Sequence, residues 1–353
     1  MFNVYLYLFI FHFFFICRTN ITHITVSGLS AKTQRAIDMD YNRLDLVNVP
    51  PFIDKHWIKA GKQYPKDPPH EVRWARDDKL KIPELHLQKL PAQNLPVSQF
   101  LRHDLPPLSA EIITTKARSW FNPDMPITDT TILLKRPIPP PGFLLDLEKE
   151  FGQAWFDGAR SIVDHRFNNS TERFPLWVLT YWKKLSETLA IQSTWRKSCQ
   201  WLDNEEKKTR HLPTIDAISA TRQILTSLGW NLRLTYLCGA VKSAHLAKLL
   251  GTTWLNDDHI SMMMEDLSKE VESDPGLAKK VIIGTLCFSQ QLLNVKGEYT
   301  RKSAPILCSY EKRIKSNDTE ELYFPIHVNT NHWIAGLVNF KNKTISFGKF
   351  RSL

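Results

Sequence analysis

The spacing of apolar positions changes period along the chain. From Leu144 the pattern is helical, and Leu176, Leu179, Leu185 and Leu189 continue it. Pro175 is placed as a first helical residue, where its missing N–H costs nothing. A second helical block is expected over 240–250, with Ala244, Ala247, Leu249 and Leu250 on one face and Gly251 as its stop. Asn256 then suits the cap of a further helix, and Asp257 and Asp258 suit its positive N-terminal end. Ile260, Met263, Met264, Leu267 and Val271 are expected to form the buried face of that helix. After it the period drops to two. Leu322, Phe324, Ile326 and Val328 alternate with other residues, Asn329-Thr330-Asn331 reads as a turn, and 332–340 reads as the next strand. His332 shares a face with Ile334, Val338 and Phe340, whereas Trp333 shares the other with Ala335 and Leu337. Lys341-Asn342-Lys343 is a second turn, and a third strand starts at Thr344. The pattern predicts an α+β fold in which a helical block is followed by an antiparallel meander.

Before Leu144 no period is visible, and composition explains why. Of the 21 prolines, 16 fall between Pro50 and Pro141. Such density removes backbone donors and fixes φ, so residues 18–145 are expected to be a largely irregular, Pro-rich arm, with the core mainly after it. Isolated apolar pairs in the arm, Phe52-Ile53 and Ile112-Ile113, are candidates to dock on a neighbouring domain. Residues 146–235 form a helical region whose Trp177, Trp182, Trp195 and Trp201 read as packing residues. With 353 residues, 42% hydrophobic and 23% charged, the chain has the size of two ordinary domains and a globular composition.

Charge and cysteine usage narrow the function classes. The net charge of +10 is split evenly, since residues 1–145 hold 18 Lys and Arg against 13 Asp and Glu, and the remainder holds 28 against 23. A spread excess lacks the basic stripe of a specific nucleic-acid binder. Cys17, Cys199, Cys238, Cys287 and Cys308 are odd in number and contain no C-x-x-C pair, which argues against a disulfide framework or a structural zinc site. Reduced thiols fit the nucleus or cytoplasm. Residues 1–17, MFNVYLYLFIFHFFFIC, are apolar but short for a membrane span, and they lack the basic start and cleavage site of a signal peptide. Three readings stay open for this segment: a mistaken start, an anchor and a signal peptide. Membrane association would act only through it.

Trp254-Leu255-Asn256-Asp257 opening a helix, then LYFPIHV, a turn, NHWIAGLVNF, a Lys-Asn-Lys turn and TISFG, together resemble the ubiquitin-like-protein-specific cysteine proteases of the SUMO-deconjugating type. The resemblance covers 236–348 and rests on the order and spacing of the whole set. It implies a papain-like α+β fold, here partial, and a cysteine-type peptidase that cleaves after Gly-Gly. It also implies a His, Asp, Cys triad in that chain order, with no cofactor and no metal. A His takes the thiol proton, the thiolate attacks the carbonyl, and an Asp fixes the His tautomer. By resemblance His332 is the general base, Trp333 flanks the substrate tunnel, and Trp254 lies over the Gly-Gly tail. The implied partner is a ubiquitin-like protein or its conjugates.

The resemblance also implies an Asp on the strand after the His, where this chain has Lys349. A cation cannot accept the imidazole N–H, and it disfavours the imidazolium that forms in the reaction. The family's nucleophile follows the His, whereas all five cysteines here precede His332. Cys238, before a helical run, is the least implausible substitute. The expectation is therefore a C-terminally truncated member without activity, with a non-catalytic ubiquitin-like-protein binding module as the alternative. Gly348-Lys349-Phe350 can be encoded by a splice-donor sequence, so 349–353 is expected to be an anomalous tail read from a retained intron. A third strand left without cover is expected to favour aggregation.

Overall fold

The computed structural model describes residues 63–348 apart from 65, 69, 168–171, 235–240, 252–254, 296–299, 301, 317 and 329–331. Residues 1–17, Cys238, Trp254, the turn at 329–331 and Lys349 lie outside the described residues, and of His332 only the backbone is described. Two compact units divide between Arg196 and Lys197, inside a single long helix. Neither sequence-based boundary, at 145 or at 235, falls there.

The unit ending at Arg196 contains helix α1 (His70–Asp78), helix α2 (Pro141–Phe156) and most of helix α3 (Val178–Lys208). α2 opens on Pro141 after Pro140, whose fixed φ is already suited to a helix start. Three short antiparallel strands, β1 (Phe121–Asn122), β2 (Ser161–Val163) and β3 (Arg173–Pro175), form a sheet in that order. Pro175 thus ends β3 rather than starting a helix. The strand lies at the sheet edge, where a missing N–H leaves no ladder bond unmade.

The core of this unit corrects the expectation of a core lying mainly after the Pro-rich stretch. Trp120, Leu133 and Ile138 are fully buried, in one cluster with Leu147, Phe151, Ile162 and Trp182. Proline prevents long regular elements, but it does not prevent a loop from presenting one large side chain at a time. The backbone finds partners loop to loop: Ile138 N donates to Pro107 O at 2.9 Å, and Ser109 N donates to Ile138 O at 2.8 Å. Ile113 packs against the cluster, while its neighbour Ile112 is exposed. Trp182 and Trp195 are buried, in accord with their reading as packing residues.

The unit from Lys197 holds helix α4 (Leu212–Leu225), a 3-10 helix (Ser243–Leu249), helix α5 (Asp257–Ser273) and helix α6 (Pro275–Lys280). Then follow strand β4 (Val281–Ile283), helices α7 (Leu286–Asn294) and α8 (Pro305–Ser316), and strands β5 (Glu321–Val328), β6 (His332–Asn339) and β7 (Thr344–Gly348). The expected helix over 240–250 is the tighter 3-10 form where it is described. The Ala247 carbonyl accepts both Leu250 N, three residues on, and the Ser198 hydroxyl, which ties off the ladder.

The sheet order is β4-β5-β6-β7. β4 is parallel to β5 and the other pairs are antiparallel. α7 and α8 supply the crossover that a parallel pair needs. Leu322, Phe324, Ile326 and Val338 share one face and pack against Phe288, Leu307 and Tyr310 of these helices. The alternation expected from sequence is therefore present in β5 and β6. Among the described residues, no helix is long and apolar enough to cross a membrane.

Candidate functional site

The hairpin end of β5 and β6 carries the residues that the sequence singles out. The register sets His332 opposite Val328 and Trp333 opposite His327. The half-buried Trp333 indole stacks on the His327 imidazole, with ring centroids 4.4 Å apart and planes 23° from parallel. At its edge, Trp333 Nε1 donates to the carbonyl of Leu255 at 3.3 Å. Leu255 directly precedes the cap of α5, so this bond joins segments 78 residues apart. The structure brings the strand start bearing His332 to the residue that follows Trp254. Trp254 itself lies outside the described residues.

The start of α5 is held firmly. Asn256 Oδ1 accepts from His259 N at 3.2 Å, and Asn256 N donates back to His259 Nδ1 at 3.2 Å. His259 Nε2 donates to His245 O at 2.9 Å. Only the neutral tautomer protonated on Nε2 makes both ring bonds. Burial lowers the His259 pKa from its ordinary value, against the upward pull of the His245 carbonyl. This histidine is a structural strut that fixes where Leu255 presents its carbonyl.

The capping histidine also explains a difference from the expected face of α5. His259, Ile260, Met262, Asp266 and Val271 are buried, whereas Leu267 is exposed and Met263 and Met264 are half-buried. Turning His259 inward rotates the buried stripe toward the 259, 262 and 266 positions.

Further along the face that carries Trp333, Tyr323 Oη donates to Glu321 Oε2 at 2.8 Å and Asn339 Nδ2 donates to Glu321 Oε1 at 3.0 Å. Burial, reinforced by Glu321, pushes the Tyr323 phenol up to about 12, so it is a donor and not a base at neutral pH. On the opposite face the Phe324 ring crosses Gly336, where an added Cβ would lie 2.7 Å from Phe324 Cζ. Gly336 is therefore needed for the close approach that seats Phe324.

The described cysteines are dispersed. Cys199 is half-buried on α3, and burial pushes its thiol up, aided by Asp203. Cys308 is half-buried on α8, while Cys287 is exposed in the first turn of α7, a helix-start position that the sequence reading does not assign to it. Among the described residues, no group of three or more His, Cys, Asp or Glu is placed to hold a metal ion.

Residues 253–347 match the model of the Ulp1 protease family, C-terminal catalytic domain. This stretch is similar to that catalytic domain. The matched range begins beside Trp254 and spans α5, the whole β4–β6 core and β7 up to Phe347. It supports a cysteine-protease lineage acting on ubiquitin-like proteins, and the mixed α+β fold agrees with it. No curated protein and no solved structure matches the chain. Within the matched range, sequence reasoning did not single out His327, the residue on which Trp333 stacks. The signal was available: counting outward from the turn pairs 328 with 332 and therefore 327 with 333.

Proposed function

We propose that the matched region recognises the Gly-Gly tail of a ubiquitin-like protein. His332 stands at the general-base position, and Trp333 and Trp254 flank the tail. The observation that carries this reading is the Trp333–Leu255 bond, which ties the His332-bearing strand to the start of α5. Flat rings on both sides of an extended chain leave room for glycine and exclude residues with a Cβ, which is a physical basis for Gly-Gly selectivity.

With Lys349 in place, the 353-residue polypeptide favours binding over cleavage. Lys349 stands where the resemblance implies the carboxylate that would orient His332. A histidine that no carboxylate orients is a weak general base, which disfavours acyl-enzyme formation. A SUMO-type protein ending in Gly-Gly is expected to bind the full chain, and Trp333→Ala is expected to weaken binding about tenfold or more, as for a central aromatic anchor. A ubiquitin-like probe with an electrophilic C-terminus is expected to leave the chain unlabelled. Labelling of Cys238, Cys287 or Cys308 would overturn the preference for binding over cleavage, and equal binding by wild type and Trp333→Ala would overturn the tail site.

A further inference from the structure

We infer that His327 is a positioning residue that holds the Trp333 indole as a fixed platform for the substrate tail, an inference that rests on the functional reading above. A tryptophan on a strand has two side-chain torsions to settle, and its use as a slot wall depends on both. In this sheet the two are fixed from different directions. The ring face lies on the His327 imidazole at 4.4 Å and 23°, and the ring edge donates through Nε1 to Leu255 O at 3.3 Å. One hydrogen bond at an edge leaves a ring free to rock about that contact. A stacked partner on its face removes the rocking.

The supply of alternative supports on that face is poor. The next cross-strand pair along it is Pro325 with Ala335, both too short to back an indole, and beyond it stand Tyr323 and Leu337. Tyr323 is already committed to Glu321. Cross-strand partners set the closest side-chain neighbours in an antiparallel pair, and diagonal ones stand about 7–8 Å off. His327 is therefore the sheet residue that can reach the ring face. It is an exposed side chain, so its place on β5 is not explained by burial in the core. The imidazole is a flat ring of the right size to stack while leaving its nitrogens toward water, which a buried phenylalanine ring would not need to do.

The distinction that matters is between holding Trp333 and merely filling space. A space-filling residue is replaced by any side chain of similar volume. A positioning ring is replaced only by another flat ring. His327→Leu and His327→Phe separate the two cases in the full 353-residue chain labelled with 15N-tryptophan. The Trp333 indole N–H resonance is assigned by its disappearance in Trp333→Phe. In His327→Leu that resonance is expected to shift and its exchange with water to accelerate at least tenfold, while the other indole resonances stay in place. His327→Phe is expected to restore both. Affinity for a SUMO-type protein ending in Gly-Gly is expected to fall about tenfold in His327→Leu and to recover in His327→Phe.

An unchanged Trp333 resonance and exchange rate in His327→Leu would overturn the inference. So would an affinity loss of the same size in His327→Leu and His327→Phe, because His327 would then contact the ligand itself. His327→Ser, which removes the ring without adding apolar surface, gives the same readout if the Leu variant disturbs the other indole resonances. A wild-type chain that binds no SUMO-type protein would sink the functional reading alone, since the indole measurements decide the positioning of Trp333 without any ligand.

Discussion

His259 shows how one residue links local chemistry to the site and to pH. Asn256 was legible as a cap because a short polar side chain precedes two acids and an apolar stripe. Its reciprocal partner was not legible, since the usual third-position partner in a capping box is Glu or Gln, and here a histidine nitrogen accepts the bond instead. The folded protein lowers the His259 pKa below its ordinary 6.5, so the unfolded chain takes up the proton first. Where the unfolded state binds more protons, stability rises with pH. The contribution of neutral His259 is therefore complete above about 6.5 and is lost as pH falls below that, towards the lowered folded value. His259→Gln keeps a side-chain acceptor for Asn256 N and removes the titration. Urea midpoints at pH 7.5 and 5.5 are expected to drop more for wild type than for this variant. Equal drops would show that the ring does not titrate against the cap.

At the scale of elements, the meander was readable because two-residue periodicity and turn residues fix strands without help from distant parts of the chain. The register then follows from the turns, which is why the faces deduced for β6 hold where they are described. What periodicity does not reveal is cover. Ile345 and Phe347 of β7 pair with Val338 and Gly336 and so lie on the face that α7 and α8 bury elsewhere. They are nevertheless 69% and 73% exposed. Among the described residues β7 is an edge strand, and two large apolar side chains there offer both a sticky face and unpaired backbone, the combination that favours edge-to-edge association. The double variant Ile345→Thr, Phe347→Thr retains β-branched or strand-compatible side chains and removes most of the apolar area. It is expected to lower light scattering and raise the monomer fraction in sedimentation at a melting temperature equal to wild type. Unchanged association would place the sticky surface elsewhere.

Across the whole molecule, the Pro-rich stretch is where sequence and structure part most. Periodicity assumes that burial comes from regular elements, and the described part of the stretch has little beyond α1, two single-turn helices, short 3-10 turns and the two-residue β1. Its core residues are chosen one by one by tertiary packing, so no local pattern marks Trp120 as buried and Ile112 as exposed. Trp120 packs its ring against Phe143 at 4.8 Å and Trp182 at 6.2 Å, and its Nε1 donates to Thr115 Oγ1 at 2.8 Å. An arm laid over a finished core would tolerate truncation of such a residue within about 0.5 kcal/mol, the range of ordinary surface substitutions. A residue inside the core would lose transfer free energy and leave a cavity, at about 3–5 kcal/mol for Trp→Ala. Denaturant unfolding of Trp120→Ala is therefore expected to show a loss in that range, with Trp120→Phe retaining part of it. Ile112→Ala, 91% exposed in the same stretch, serves as the control and is expected to match wild type. If Trp120→Ala and Ile112→Ala behaved alike, the Pro-rich stretch would be decoration on the unit and not part of its core.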